Sequence, residues 1–162
     1  MKLLSLACLC SSMIAAESAY LLPHRWQDAR HVLTETIRHA PSRIVVVTDV
    51  LDDIYLRRTL RKAAEAQKPI TLITGSEETA SQWAIYKTAD VCLLPASAPL
   101  PFSLVAADRV KACSLGMPLT TDALRSRYGV MQCTDAENLD ETIALLKQEC
   151  REIGRASCRE RV

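Results

Sequence analysis

The run RIVVVTDVLDDIYLRRTLRKAAEAQKPITLIT, from Arg43 to Thr74, decides the fold class. Ile44-Val45-Val46-Val47 is an unbroken β-branched stretch, the pattern of a strand buried on both faces. Asp52 and Asp53 can cap a helix whose apolar stripe is Leu56, Leu60 and Ala63. Pro69 then introduces a second strand, Ile70 to Thr74, closed by Gly75-Ser76.

The same rhythm continues in both directions. Upstream, Ser18 to Leu22 reads as a short strand ended by Pro23. Trp26, Ala29, Leu33, Ile37 and Ala40 then recur at helical spacing, and the helix must end before Pro41. Downstream, Thr79 to Thr88 reads as a third helix, with Trp83 and Ile85 on its apolar side, and Val91 to Leu94 as another strand. This alternation predicts an α/β domain with a mixed, mostly parallel sheet flanked by helices. Past Pro95, Pro99 and Pro101 the rhythm changes. Phe102 to Ala107 and Val110 to Leu115 read as a hairpin, with Asp108-Arg109 as its tight turn. A short helix over Pro118 to Arg127 and a strand over Tyr128 to Cys133 follow. Thr134 and Glu137 have capping-box spacing before a last helix marked by Leu139, Ile143, Leu146 and Cys150.

Both ends read as lying outside the fold. Residues 1–16, MKLLSLACLCSSMIAA, have the charged start, short apolar run and small-residue close of a signal peptide. Cleavage after Ala16 would leave a periplasmic or secreted protein with no stable membrane span; the alternative is a buried N-terminal element. Residues 153–162, IGRASCRERV, are arginine-rich without apolar periodicity and match a translated sequencing adapter; the alternative is a genuine basic tail. That leaves residues 17–152 as the domain.

Composition bounds the chemistry. At 162 residues, 49% hydrophobic and 24% charged, the chain suits one folded domain. Four glycines build neither G-x-G-x-x-G nor a phosphate loop, so no nucleotide cofactor is expected. No C-x2-C pair or Cys/His cluster has metal-ligand spacing, so no metal is expected, and thiol redox chemistry ranks last. The formal charge of +1 argues against a strongly electrostatic nucleic-acid binder. Of the cysteines, Cys92, Cys113, Cys133 and Cys150 lie in the domain. They allow three disulfide pairings, but the apolar runs around Cys92, Cys113 and Cys133 favour four small buried hydrophobes.

Arg57, Arg58, Arg61 and Lys62 crowd one helix and could hold phosphate or an acidic partner; the plainer reading is a solvated face. His24, His31 and His39 read as surface histidines, and Trp83 with Tyr86 as packing residues rather than a base-stacking platform.

Three stretches, Arg43 to Leu60, A-x4-K-P-I-T-L-I from Ala63 to Ile73, and the hairpin from Phe102 to Leu115, set in this element order, resemble the phospholipase D superfamily. The nearest shape is its small exported single-domain members, the bacterial nucleases. The resemblance implies a phospholipase D-like half-domain over residues 18–150. It also implies a motif, H-x-K-x4-D, on the hairpin, in which His attacks phosphorus, Lys holds phosphate oxygens and Asp orients a His. Here the motif is degenerate: the His position is Pro101, the Lys position Ser103, and only Asp108 matches. No histidine occurs after His39, so the family's displacement has no nucleophile. The resemblance therefore implies an exported, non-catalytic protein acting as a binding or assembly module. Its partners would be a second copy, a related domain, or a nucleic acid or phosphate ligand. The alternative is an active phosphodiesterase or nuclease of the superfamily, with its catalytic groups elsewhere.

Overall fold

The structure is a computed structural model that describes residues 18–95, 99–136 and 139–150. Residues 1–16 and 153–162, read from the sequence as a signal peptide and an adapter-like tail, both lie outside the described residues. Twelve elements follow in chain order. They are β1 (Ser18–Leu22), α1 (Trp26–Arg38), β2 (Ile44–Thr48), α2 (Ile54–Glu65), β3 (Ile70–Thr74) and α3 (Glu77–Trp83). Then come β4 (Ala89–Leu93), β5 (Ser103–Ala107), β6 (Lys111–Leu115), α4 (Thr121–Ser126), β7 (Gly129–Thr134) and α5 (Asp140–Gln148).

All seven strands form one sheet in the order β1-β7-β6-β5-β2-β3-β4. The α/β class and the mixed sheet agree with the sequence. The balance of pairing differs: β2–β3 and β3–β4 are parallel, and the other four ladders are antiparallel. The cause is the hairpin. β5 docks antiparallel on β2, so β6 again runs with β2, and β7 inserts between β6 and β1. Five of the seven strands therefore share a direction while most neighbours oppose.

Burial follows position in the sheet. Every residue of β2 and β3 is buried, as their continuous apolar runs require. Helices α1 to α4 pack their apolar faces on one side, around Leu33, Leu56, Leu60, Leu72, Leu119 and Met131. On the other side, Val45, Val47, Ile73 and Ala106 pack with Ile143 of α5. Among the described residues, Leu21 of β1 and Val130 of β7, paired in register, are both about half exposed.

Two disulfides correct the reading of the cysteines as buried hydrophobes. Cys92 of β4 joins Cys150, just past α5, and Cys113 joins Cys133 directly opposite on the β6–β7 ladder. Apolar surroundings do not discriminate here, because a half-cystine is as apolar as a buried thiol.

Smaller corrections have local causes. The third helix begins at its Ser76 cap and stops at Trp83, leaving Ile85 outside it and exposed. The capping-box reading rests on Glu137, which lies outside the described residues; α5 itself starts at Asp140 with Leu139 in the cap position and no side-chain cap. The hairpin turn has three residues, Asp108 to Val110, with Arg109 at φ 64°. The fourth helix is shorter than its reading, starting after the Thr120 cap.

The end of α2 shows how backbone and cap cooperate. Lys68 N–H donates to Ala63 O and Gln67 N–H to Ala64 O, both at 3.0 Å, the paired bonds of a Schellman cap. Gln67 sits at φ 61°, where glycine is the unstrained choice. Gln67→Gly is expected to stabilise the fold by about 0.5–1 kcal/mol, read as a rise of a few degrees in thermal midpoint.

Candidate functional site

In an open α/β sheet, ligands bind outside the carboxyl ends of the parallel strands. Here that crevice lies beyond Thr48 of β2 and Thr74 of β3, beside the start of β5. The motif positions Pro101 and Ser103 reach it. Pro101 is exposed, whereas Ser103 is fully buried.

Ser103 is consumed by structure. Its Oγ donates to Met117 O at 2.6 Å and lies 2.9 Å from Thr48 Oγ1. Thr48 Oγ1 also bonds Val50 O at 3.0 Å and accepts from Leu119 N–H at 3.2 Å. Both hydroxyls thus tie the β2 exit to the segment after β6. Backbone bonds reinforce the closure: Leu119 N–H donates to Val50 O, and Asp52 and Asp53 N–H donate to Leu119 O. Leu51, Met117 and Leu119, each at most 3% exposed, fill the space behind them. Thr74 Oγ1 turns back to Asp49 O. A Cβ at Gly75 would meet Asp49 Oδ1 at 2.5 Å, so that carboxylate would have to shift to admit a side chain there.

Asp108, the only residue that matches the motif, is at the other end of β5. It follows Ala107, about 17 Å along the strand from Ser103 at about 3.4 Å per residue. Its carboxylate accepts from Arg43 Nη2 at 3.1 Å, and the same guanidinium reaches Asp140 at 2.5 Å. Burial alone would lower the Arg43 pKa; the Asp140 bond and the Asp108 charge outweigh it and raise it above its ordinary value. Asp108 therefore holds the turn to β2 and α5, and orients no histidine.

His31 and His39 are at that end too, whereas His24 follows β1 at the opposite end of the sheet; all three are exposed, as expected. His31 and His39 line a cleft of about 290 Å³ with Glu35 and Lys111, between α1 and the hairpin turn. His39 Nε2 lies 2.7 Å from Glu35 Oε2. Burial pushes the Glu35 carboxyl up, but the His39 bond and the charges of Arg38, His39 and His31 hold it below its usual value. His24 follows β1, which is separated from β5 in the sheet by β7 and β6. Among the described residues, no group of three or more His, Cys, Asp or Glu could hold a metal.

The four basic residues singled out on α2 divide. Arg57 pairs with Asp52 at 3.6 Å. Arg58 and Lys62 line a groove of about 400 Å³ between α1 and α2; Arg61 is exposed outside it. The groove also holds Arg38 and Lys68, which sequence reasoning missed. Their only signal was basic character at a helix C-terminus and after a helix cap. Trp83 and Tyr86 pack together, with ring centroids 5.4 Å apart and Trp83 buried.

The sheet order, the antiparallel β5–β6 hairpin on β2, and the crevice at its start can be set beside solved structures. The chain has the phospholipase D fold. It superposes on the phospholipase D family member Nuc from Salmonella typhimurium with a TM-score of 0.69 at 11% identity, over 84% of this chain and 96% of that one. NucT from Helicobacter pylori gives a TM-score of 0.66 at 18% identity, over 83% and 96%. TrmBL2, an archaeal chromatin protein, gives 0.55 at 11% identity, over 86% of this chain and 52% of that one. No family model and no curated protein matches the sequence. At the positions that the sequence resemblance assigns to the motif, this chain has the exposed Pro101 and the hydrogen-bonded Ser103. No helix among the described residues is long and apolar enough to cross a membrane.

Proposed function

We propose that this is an exported, non-catalytic protein of phospholipase D fold that serves as a binding module. One observation carries the reading: the side chain at the motif's Lys position, Ser103, is fully buried and donates its proton to Met117 O. A phosphoryl-transfer site needs a nucleophile and cations at the crevice. Among the described residues, the hydroxyls at its β2 and β5 edges, Thr48 and Ser103, are both spent on backbone carbonyls. Two disulfides support export, because such bonds persist in oxidising compartments.

The test is turnover of bis-p-nitrophenyl phosphate and of single- and double-stranded DNA, with and without chelator. No hydrolysis above buffer is expected. Hydrolysis abolished by Asp108→Ala would overturn the reading of the hairpin. Hydrolysis abolished by His39→Ala would move the chemistry to the α1–hairpin cleft and make the protein an enzyme.

A further inference from the structure

We propose that the groove between α1 and α2 binds single-stranded nucleic acid through its phosphodiester backbone, with one base against Tyr55. The inference rests on the binding-module reading and supplies its ligand.

Tyr55, Arg58, Thr59 and Lys62 recur at i, i+3, i+4 and i+7, so they form one stripe along α2. Arg38 of α1 and Lys68, beyond α2, supply the facing cations. Four cations thus line about 400 Å³, and no carboxylate lines it. The concentration is local, because residues 17–152 carry 16 lysines and arginines against 18 acids, a net charge of −2.

These cations are not spent on each other's relief. Arg58 and Lys62 are like charges at i,i+4, an arrangement that costs stability on its own. Among the described residues neither has a carboxylate within 4.0 Å. Lys68 is fixed in place: Nζ donates to Arg38 O at 3.1 Å and to Ala40 O at 3.0 Å. An ammonium has three donors, so one stays available for a phosphate oxygen. Arg38 pairs with Glu35 through Nη1 and keeps further N–H groups.

Tyr55 selects the kind of phosphate chain. Its ring is about half exposed and lines the groove, and the Arg30 guanidinium sits 4.1 Å from its centroid. Arg30 also lies 4.7 Å from the Trp26 ring, so the tyrosine is held by a stacked support rather than left free. A fixed exposed ring beside a run of cations is the arrangement that holds single strands without sequence preference. The groove is formed by α1, α2 and Lys68 and contains neither Pro101 nor Ser103, so it needs no working active site.

The experiment is fluorescence anisotropy with a labelled oligo(dT), in chelator and at low salt. Wild type is expected to bind with a log affinity that falls against log salt with a slope of about −2, as two or three phosphates require at about 0.7 each. R58E/K62E should weaken binding at least tenfold, and R58Q/K62Q by less, with unchanged melting curves. A charge reversal elsewhere, R109E/R127E, should cost at most a factor of two or three. Tyr55→Leu should weaken oligo(dT) several-fold and leave inorganic polyphosphate unaffected. Binding that ignores R58E/K62E would overturn the groove. Polyphosphate that binds as well as oligo(dT), with Tyr55→Leu silent for both, would overturn the nucleic-acid assignment. Neither result bears on turnover, so failure of the groove and failure of the non-catalytic reading are told apart.

Discussion

Replacing Cys92 and Cys150 together by alanine is expected to lower the thermal midpoint by about 10 °C or more. The bridge closes a sequence separation of 58 residues. Chain-entropy arithmetic for such a loop gives about 4 kcal/mol, on a model in which the bond acts mainly on the unfolded chain. At roughly 3 °C per kcal/mol for a domain of this size, that is a large shift. The native side of the argument is as direct. Helix α5 docks on the second face of the sheet through Ile143, with Leu139 and Leu146 partly buried beside it. Its other tethers are the Arg43–Asp140 pair and the Lys147–Asp90 pair, both with exposed carboxylates. Such ion pairs contribute little. Without the bridge α5 should loosen before the rest unfolds, baring Val45, Val47 and Ala106. Thermal melts followed by circular dichroism, with dye binding at intermediate temperature, check both parts. A midpoint within 2 °C of wild type would contradict the account. Cys113 and Cys133, buried and spaced by 20 residues, should give a smaller loss of about 3 kcal/mol by the same arithmetic.

Asp53→Ala is expected to cost about 2–4 kcal/mol. The carboxylate is fully buried and every part of it is used. Oδ1 accepts from Tyr55 N–H at 3.1 Å and Leu56 N–H at 3.0 Å, capping α2. Oδ2 accepts from Thr121 Oγ1 at 2.9 Å, tying α4 to α2, and lies 3.8 Å from Arg30 Nη1. Alanine would leave two helix N–H groups and one hydroxyl without their acceptor and a half-buried guanidinium without its counter-charge. Asp53→Asn keeps the cap acceptor and should fall between. The neighbouring Asp52→Ala removes only an exposed pair with Arg57 and should change stability by less than about 0.5 kcal/mol. Urea unfolding of the three variants tests the order. Equal losses at positions 52 and 53 would refute it.

The contrast between these two aspartates marks how far the sequence could be read. Both were legible as cap candidates, because each precedes the Leu56–Leu60 stripe. Which one caps depends on where α4 lies, and that contact joins residues 68 positions apart. The strands β2 and β3 were plain from their β-branched runs, and the hairpin from its two apolar runs about a short polar turn. Pairing balance was not plain, because β7 inserts beside β6 for reasons of packing that no local pattern records. The disulfides were hidden for a related reason: four cysteines, three of them in apolar runs, carry no spacing that selects partners. The candidate crevice was legible in its residues and not in its shape. Sequence placed Pro101, Ser103 and Asp108 on one hairpin. Only the strand's extent separates Asp108 from the other two and gives it to Arg43. The groove on α2 was half legible, through Arg58 and Lys62. Arg38 and Lys68 join it from separate elements.

The crevice is expected to hold no nucleophile toward phosphorus. The most direct measurement incubates protein in excess with an end-labelled oligonucleotide in chelator, quenches in denaturant and resolves the products on a gel. The account predicts intact oligonucleotide and no label on the protein. A shortened strand together with a denaturant-stable labelled protein band would show a covalent phosphoryl intermediate, and the account would be wrong.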